Sequence, residues 1–317
     1  MPPTERSWAR AGLDEAAYGA LAKNLAASDL WSLLLGVAEQ RAMQRTPANV
    51  QQQWEKDRFV RPASLDQRTL NELDRHLLAA APAFEALELS PLAPLGSCST
   101  IGLASQNKIV STIRGTEVVS DPTNLLALES AQRLRRNPAQ TIKLATNHRC
   151  VRAQPVPNNP GYAAHFRLFC LSTAGLERKD HGFLVEALAE HIHTHLGALN
   201  RLEQHGYGFP ARTLKILADP AHQSIGQRIA ATFSGTPLVL ETLGHPYYHG
   251  LRFMISAKCP SGERMPLIDG GAFDWLRKLT SNRKLTFVAS GLGSQLAAYL
   301  YRSTPGASAA GADQRRK

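Results

Sequence analysis

The residues best suited to chemistry lie between Asn147 and Gly175, a segment that reads as a strand, a polar loop and a second strand. Arg152 stands where the first strand enters the loop, and Phe169 lies in the second strand. The arginine is a permanent cation, and the phenylalanine offers a flat apolar ring. Many hairpins contain both residue types, so the meaning of this pair depends on the segments that surround it.

The composition is that of an ordinary globular protein. Its 317 residues are 43% hydrophobic and 20% charged, which is enough for one large domain or two small ones. The formal net charge of +10 favours an anionic partner such as a nucleotide, a phosphate or RNA. No stretch approaches the roughly 18 uncharged apolar residues that span a membrane, and the first fifteen residues lack an apolar signal core. We therefore expect a cytoplasmic protein without a membrane partner.

The cysteines and histidines give little support to a metal site or a disulfide framework. The chain has four cysteines, Cys98, Cys150, Cys170 and Cys259. Without a C-x-x-C pair they are expected to be free buried thiols, and Cys150 and Cys170, which flank the hairpin, are expected to face each other across it. His191 and His195 have the i, i+4 spacing of a metal pair, but no third ligand accompanies them, so no metal is predicted.

The apolar pattern predicts an α+β fold. Helices are predicted over residues 13–56, 64–81, 123–135, 182–202 and 294–302. Strands are predicted over residues 84–95, 108–113, 117–120, 141–145, 162–171, 213–217, 238–243, 250–257, 265–268 and 285–289. Because the strands form hairpins and the helices occur in runs, we expect an antiparallel sheet flanked by helices. The predicted domains are an N-terminal helical extension over residues 1–62, a core over 63–303 and a disordered tail over 304–317.

Several short segments occur in a characteristic order along this core. They are FEALELSP at 84–91, VVSDPT at 118–123, VRAQ at 151–154, HFRLF at 165–169, GHPYYHGLRF at 244–253 and DGGAFD at 269–274. Together they resemble the catalytic core of class II aminoacyl-tRNA synthetases. The resemblance is closest to histidyl-tRNA synthetase and to the histidyl-synthetase-like regulatory subunit of ATP phosphoribosyltransferase.

The resemblance implies that the hairpin binds ATP, with Mg²⁺ as the accompanying ion. It places Arg152 on the α-phosphate as the catalytic cation and Phe169 against the adenine ring. Gln154 belongs to the same nucleotide site, and His165 and Arg167 are assigned to the outer phosphates.

The resemblance also implies an amino-acid-like ligand and a homodimer built through the 84–91 region. The implied ligand-binding residues are Asp121, Thr123, Tyr247, Tyr248, Gly270 and Gly271. Asp121 would meet the ammonium group of the ligand, and the two glycines would let the backbone approach it. A simpler interpretation of the same Asp-Pro-Thr sequence is a helix start, with Asp121 or Thr123 as its cap.

This sequence departs from the family pattern at charged positions. Leu243 stands where the family has an arginine for the ligand carboxylate, and the third motif, GLGSQL at 291–296, lacks its arginine. Gln154 replaces a glutamate, and Leu171 replaces a glutamine that reads the histidine ring. Fixed cations stabilise the charge that develops during adenylate formation, and the loss of one costs roughly 3 kcal/mol. We therefore do not expect this chain to charge tRNA with histidine.

Two functions remain open. One is ATP-dependent activation of a carboxylate and its transfer to an acceptor, and the other is a non-catalytic regulatory or ligand-sensing paralogue. The acceptor or partner could be RNA or a protein. Two basic clusters lie beside the active segments, namely Arg133, Arg135 and Arg136, and Arg277, Lys278, Arg283 and Lys284. Lys278, Arg283 or Lys284 could replace the missing cations from the loop before the third motif.

Overall fold

The computed structural model describes residues 3–156, 161–233, 235–244 and 246–303. The predicted disordered tail at 304–317 and His245 of the GHPYYHGLRF segment lie outside these ranges. Among the described residues, no helix is long and apolar enough to cross a membrane.

Helices and strands follow one another largely in the predicted order. The α-helices of the described ranges are α1 (Pro3–Arg10), α2 (Glu15–Gly19), α3 (Ala27–Met43), α4 (Pro47–Lys56), α5 (Gln67–Ala79), α6 (Pro122–Arg136), α7 (Gly182–Glu203), α8 (Gln223–Ala231), α9 (Trp275–Thr280) and α10 (Ser294–Tyr301). The strands are β1 (Glu85–Ala86), β2 (Leu92–Pro94), β3 (Thr116–Val118), β4 (Ile142–Val151), β5 (His165–Leu176), β6 (Thr213–Ala218), β7 (Leu238–Thr242), β8 (Leu251–Lys258), β9 (Arg264–Phe273) and β10 (Leu285–Leu292).

Eight strands form one mixed sheet in the order β1-β4-β5-β10-β9-β8-β6-β7, and β2 pairs with β3 in a small second sheet. All the central pairings are antiparallel, as predicted. The two outermost pairings, β1 with β4 and β6 with β7, are parallel and were not predicted as such. The fold is therefore α+β with a mixed rather than a purely antiparallel sheet.

Helices cover both faces of the large sheet. One face, which we call the α7 face, packs against α5, α7, α8 and α10 through a core that includes Leu73, Leu199 and Phe253. The other face, the α6 face, packs against α6 and α9 through a second core that includes Leu126 and Phe287. Because side chains alternate along a strand, the central strands β4, β5, β9 and β10 contribute to both cores.

The N-terminal segment is helical, as predicted, but it is divided into short pieces. Helices α2, α3 and α4 contain no buried residue. Thr46 caps α4 by accepting a hydrogen bond from the Asn49 N–H, and Pro47 occupies the first turn, so the chain starts a new helix there. Trp31 of α3 lies against the turn at Gly115, where an added Cβ would be 3.0 Å from the indole nitrogen.

Some predicted elements were wrong. The strand predicted over 84–95 is reduced to β1 and β2, because Pro91 and Pro94 lack the N–H that a continuous ladder needs. Residues 108–113 contain only the end of a 3₁₀ turn and a single bridge between Ser111 and Glu117. Helices α8 and α9 were missed because both are short, with few apolar positions on which to see a period.

All four cysteines are buried and free. The predicted contact between Cys150 and Cys170 was wrong. The register of the β4–β5 hairpin places Cys150 opposite Phe166 and Cys170 opposite Thr146, because the strands pair for ten residues with a longer loop than expected.

Candidate functional site: a cavity at one end of the sheet

A cavity of about 540 Å³ lies on the α6 face, where β10 ends and β4 passes into its loop. It brings together most of the residues that the resemblance assigned to a site. The predicted residues in its lining are Asp121, Thr123, Arg152, Gln154, Tyr247, Tyr248 and Gly270. Residues separated by 150 positions in sequence thus converge on one concave surface.

Asp121 both caps a helix and lines the cavity. Its Oδ1 atom accepts hydrogen bonds from the Thr123 N–H at 3.0 Å and from the Thr123 hydroxyl at 2.7 Å, which starts α6. The two interpretations made from the sequence are therefore compatible. The cap holds one carboxylate oxygen and fixes the orientation of the group at the cavity wall.

Arg152 is held in place before any ligand arrives. Its Nε donates to the Ser120 carbonyl oxygen at 3.0 Å, and its guanidinium lies 5.0 Å from the ring centre of Phe166. Beside it a second cavity, of about 230 Å³, is lined by Arg152, Gln154, Phe166 and the backbone of Gly293. Arg152 therefore lines two adjacent cavities.

Phe169 does not line either cavity. It is fully buried on the α7 face, where it meets the ring of His195 edge-on at 5.9 Å. Side chains alternate between the two faces of β5, so Phe166 and Leu168 lie on the α6 face and line the cavities instead. The predicted stacking of adenine on Phe169 would require the core to open, and Phe166 is the aromatic ring that stands beside Arg152.

His165 and Arg167 share the α7 face with Phe169. A ring nitrogen of His165 lies 2.7 Å from the Arg61 carbonyl oxygen, and Arg167 forms an ion pair with Asp74 of α5 at 2.5 Å. His165 lines neither cavity, and Arg167 borders only the smaller one. These bonds commit both side chains to the side of the sheet opposite the main cavity.

The paired tyrosines and glycines form the opposite wall. Gly271 does not line the cavity but makes room for a residue that does, since an added Cβ would lie 2.5 Å from Cδ1 of Tyr248. Gly270 lines the cavity with its backbone. Burial raises the pKa of both Tyr247 and Tyr248, so both hydroxyls stay protonated at neutral pH.

An ion pair that the sequence reasoning missed completes this wall. Arg252 donates two hydrogen bonds to Asp269, from Nε to Oδ1 at 2.9 Å and from Nη2 to Oδ2 at 2.7 Å. The Arg252 guanidinium also lies 5.1 Å from the ring centre of Tyr248. One charged residue in the interior of each strand was the available signal, because charged residues among apolar neighbours are seldom buried without a partner.

The third motif, residues 291–296, lines the cavity with glycine backbone and provides no charged side chain. Gly291 and Gly293 line the cavity, while Gln295 accepts a hydrogen bond from Arg149 at 3.2 Å. Leu243 lies outside the lining. The cations that could have replaced the missing arginines are also distant, since Arg283 and Lys284 precede β10 whereas the cavity lies at its far end. An eight-residue strand separates the two ends by about 25 Å.

Glu117 organises the loop that closes one side of the cavity. Its carboxylate is 1% exposed, and it accepts hydrogen bonds from the N–H groups of Gly96 at 2.8 Å and Cys98 at 2.9 Å and from the Gln106 side chain at 2.9 Å. Among the described residues it forms no ion pair. Cys98 and Gly102 of this loop line the cavity, so Glu117 fixes a wall that it does not itself form.

Replacing Glu117 by Gln should loosen this loop, because one amide oxygen cannot accept all three hydrogen bonds and each unsatisfied donor costs about 1–3 kcal/mol. We expect the thiol of Cys98 to react with a disulfide reagent at least ~10-fold faster than in the parent protein. Reaction kinetics in the folded protein measure this directly. As a control, adding Cys98→Ser to the Glu117→Gln variant must abolish this faster thiol reaction. An unchanged reaction rate in Glu117→Gln would show that other contacts hold the loop.

The buried histidine pair forms hydrogen bonds with neighbouring hydroxyl groups. A ring nitrogen of His191 and one of His195 each lie 2.8 Å from the hydroxyl oxygen of Ser290, and His191 also contacts Thr173 at 3.0 Å. Among the described residues, no group of three or more His, Cys, Asp or Glu side chains could hold a metal ion. The pair instead forms a polar network beneath the strand that carries the cavity.

The mixed sheet, its flanking helices and the position of the cavity define a class II aminoacyl-tRNA synthetase-like fold. Comparison with solved structures gives a TM-score of 0.58 to an ATP phosphoribosyltransferase regulatory subunit/histidyl-tRNA synthetase from Bacillus halodurans, at 13% identity, covering 76% of this chain and 81% of that one. A histidine–tRNA ligase subunit from Alicyclobacillus acidocaldarius matches with a TM-score of 0.53 at 12% identity, covering 75% and 96%. A putative threonyl-tRNA synthetase from Aeropyrum pernix matches at 0.55 and 11% identity, covering 72% and 58%.

These likenesses establish the fold and no more, because the identities are low and the neighbours differ in the amino acid named. No protein-family model and no curated protein matches the sequence. Function must therefore be argued from the cavity.

Proposed function

We propose that this chain binds an amino-acid-like ligand in the main cavity and does not charge tRNA with histidine. The observation that carries the proposal is the convergence of Asp121, Arg152 and the two tyrosines on one cavity of about 540 Å³. A carboxylate and fixed guanidinium groups in one cavity suit a molecule with both an ammonium and an acidic group. The solved neighbours named for histidine and threonine are consistent with a ligand of this class.

The distribution of cations favours binding over catalysis. Arg167 is paired with Asp74, and Arg252 is paired with Asp269. Gln295 stands in the third motif, and Lys284 lies at the other end of β10. Arg152 and Lys108 are the lining cations that no carboxylate of the described residues neutralises. A triphosphate would therefore meet less positive charge than adenylate formation requires, which suits a regulatory or ligand-sensing paralogue.

The test is a screen of the twenty L-amino acids by calorimetry, each with and without ATP and Mg²⁺. We expect at least one amino acid to bind, with no exchange of pyrophosphate into ATP. If no amino acid binds, the proposal is wrong. Exchange that depends on an amino acid would identify an enzyme instead.

The enzymatic alternative has one observation in its favour. The smaller cavity beside Arg152 is lined by Phe166 and by the backbone of Gly293, and these could receive a flat ring. Arg152 would then contact the α-phosphate of ATP. A Mg²⁺ ion fits these residues less well, because Asp121 caps α6 and Asp269 holds Arg252, so each acid of the lining is already engaged.

Replacing Arg152 by Ala tests both versions of the site. Because the guanidinium is fixed by Ser120 and Phe166, its removal should weaken binding of an anionic ligand by about 100-fold, the equivalent of roughly 3 kcal/mol. Calorimetry with the amino acid found in the screen, and separately with ATP, measures the loss. Arg114→Ala is the matched control, since Arg114 is exposed and lies outside both cavities. Equal affinity in Arg152→Ala and Arg114→Ala would show that Arg152 has only a structural role.

A further inference from the structure

A cluster of cations lies at the end of the sheet opposite the cavity. We call it the basic end and define it by five exposed residues, Arg135, Arg136, Lys179, Arg283 and Lys284. They come from three separate parts of the chain, so the sequence alone does not show that they share a surface.

Strand pairing and helix packing bring these residues together. Lys284 immediately precedes β10, whose first residue pairs with the last residue of β5, and the Glu177 N–H donates to the Lys284 carbonyl oxygen at 2.8 Å. Lys179 follows two residues later. At the end of α6, Arg135 donates to the carbonyl oxygen of Leu279 at 2.7 Å, which joins that helix end to α9. The C-terminus of α6, the turn after α9 and the end of β5 therefore meet at one edge of the molecule.

The basic end carries an uncompensated positive charge. Among the described residues, none of its five cations lies within 4.0 Å of a carboxylate. Neighbouring cations are compensated, since Arg133, Arg178 and Lys278 are each paired with an acid. Of the acids nearby, Glu177 is occupied by the N–H groups of Phe183 and Leu184 at the start of α7. Asp180, exposed next to Lys179, offsets one of the five positive charges and leaves the surface with a net positive charge.

The composition of this surface favours a phosphate backbone over a protein partner. Protein interfaces are enriched in aromatic residues, methionine and arginine and depleted in lysine. Arginine is present here, but the one large apolar residue exposed beside these cations in the described structure is Leu176, at 37%. Arginine and lysine side chains projecting from several elements suit a chain of evenly spaced charges. With no aromatic ring among them, they provide no platform for stacking bases.

We propose that the basic end binds the phosphodiester backbone of a nucleic acid, without reading its sequence. This function is separate from the ligand cavity, whose nearest lining residue on β10, Ala289, lies about 17 Å along the strand from Lys284. The chain would thus hold a small ligand at one end of its sheet and a nucleic acid at the other.

Fluorescence anisotropy with labelled 20-nucleotide single strands of RNA and of DNA tests the proposal over a series of KCl concentrations from 50 to 300 mM. If four or five phosphates are contacted, the logarithm of the affinity should fall with the logarithm of salt concentration with a slope of about −3. Arg283→Gln with Lys284→Gln should weaken binding at least ~10-fold at 50 mM salt and reduce the slope by about one. The RNA and DNA arms show which backbone is preferred, and equal binding also supports the proposal.

The control removes the same charge from another surface. Lys23→Gln with Arg41→Gln changes two exposed cations of the N-terminal helices and should leave both affinity and slope unchanged. An equal loss in this variant would show that binding follows net charge and would overturn the proposal. The absence of binding at 50 mM salt, or tighter binding of a labelled polyglutamate peptide than of either nucleic acid, would overturn it as well. Circular dichroism melting of both variants establishes that they are folded.

Discussion

Lowering the pH from 7 to 5 is expected to reduce the free energy of unfolding by about 3 kcal/mol, because two histidines buried beneath the cavity contribute a loss of about 4 kcal/mol and the buried carboxyl group of Asp74 offsets about 1 kcal/mol of it. His191 and His195 are fully enclosed, and both are bound to the hydroxyl of Ser290. Burial lowers the pKa of His195 to about 3 and holds the pKa of His191 well below its usual value. The neighbouring charge of Lys143 acts on His191 in the same direction.

The sign of the effect follows from the two states. In the folded protein both rings stay neutral below pH 6, whereas in the unfolded chain each takes up a proton near pH 6.5. Protons therefore favour the unfolded state, and stability present at pH 7 is lost as the pH falls from about 6.5 toward 3. Over the two units from pH 7 to pH 5, each histidine accounts for about 2 kcal/mol.

Urea unfolding at pH 7, 6 and 5 measures this loss. His195→Gln and His191→Gln should each reduce the loss on acidification by about 2 kcal/mol, since glutamine has no proton to gain. Asp74 acts in the opposite direction, because burial raises its pKa to about 6 and the folded state then gains a proton as the pH falls. The series is therefore repeated in an Asp74→Asn background. If the double histidine variant in that background still loses stability on acidification as the parent does, another group is responsible.

The order of the elements could be predicted from the sequence because it depends on local patterns. The helical periods behind α5, α6 and α7, and the strands of the β4–β5 hairpin, are visible without tertiary information. The class II synthetase-like fold followed from the order of short motifs. The parallel pairing of β1 with β4 was not predictable. Strand β1 has only two residues, and they pair with residues more than fifty positions later in the sequence, so no local pattern indicates the pairing.

The face on which each side chain lies was the main thing the sequence could not show. Phe166 and Phe169 lie on opposite faces of β5, and a shift of one residue in the β4–β5 register would exchange those faces. Pairing of Asn147 with Phe169 and of Cys150 with Phe166 settles it, and Phe169 enters the core while Phe166 reaches Arg152. The strand was predicted correctly, but Phe169, which the resemblance assigned to adenine, lies on the face of the sheet opposite the cavity.

Charge partners were equally hidden. Arg252 and Asp269 are seventeen residues apart on neighbouring strands, so only the β8–β9 register reveals that they meet. Lys284, conversely, is close in sequence to the third motif but at the opposite end of β10. A residue that is close in sequence to the third motif can therefore lie far from the cavity, because β10 separates them. The cavity has fewer free cations than the sequence motifs suggest.

Replacing Gly271 by Ala is expected to destabilise the protein by about 3 kcal/mol and to disorder the tyrosine wall of the cavity. The new Cβ would lie 2.3 Å from the carbonyl oxygen of Leu251 and 2.5 Å from Cδ1 of Tyr248. The carbonyl belongs to the paired strand β8 and cannot move without breaking the ladder, so either the pairing or the tyrosine ring must give way. If Tyr248 moves, Arg252 loses the ring against which its guanidinium lies.

Gly197→Ala provides the matched control for Gly271→Ala. Gly197 is exposed in the middle of α7 with nothing within 4 Å of an added Cβ, so the same methyl group should stabilise the protein by up to about 1 kcal/mol through helix propensity. Urea unfolding of the two variants, and calorimetry with the amino acid found in the screen, separate the effects on stability and on binding. A Gly271→Ala protein that unfolds and binds like the parent would mean that Tyr248 has another position that serves equally well. A Gly271→Ala protein that loses binding but keeps a denaturant midpoint close to that of the parent would have kept its strand pairing. Such a result would assign to Gly271 a specific role in shaping the cavity wall.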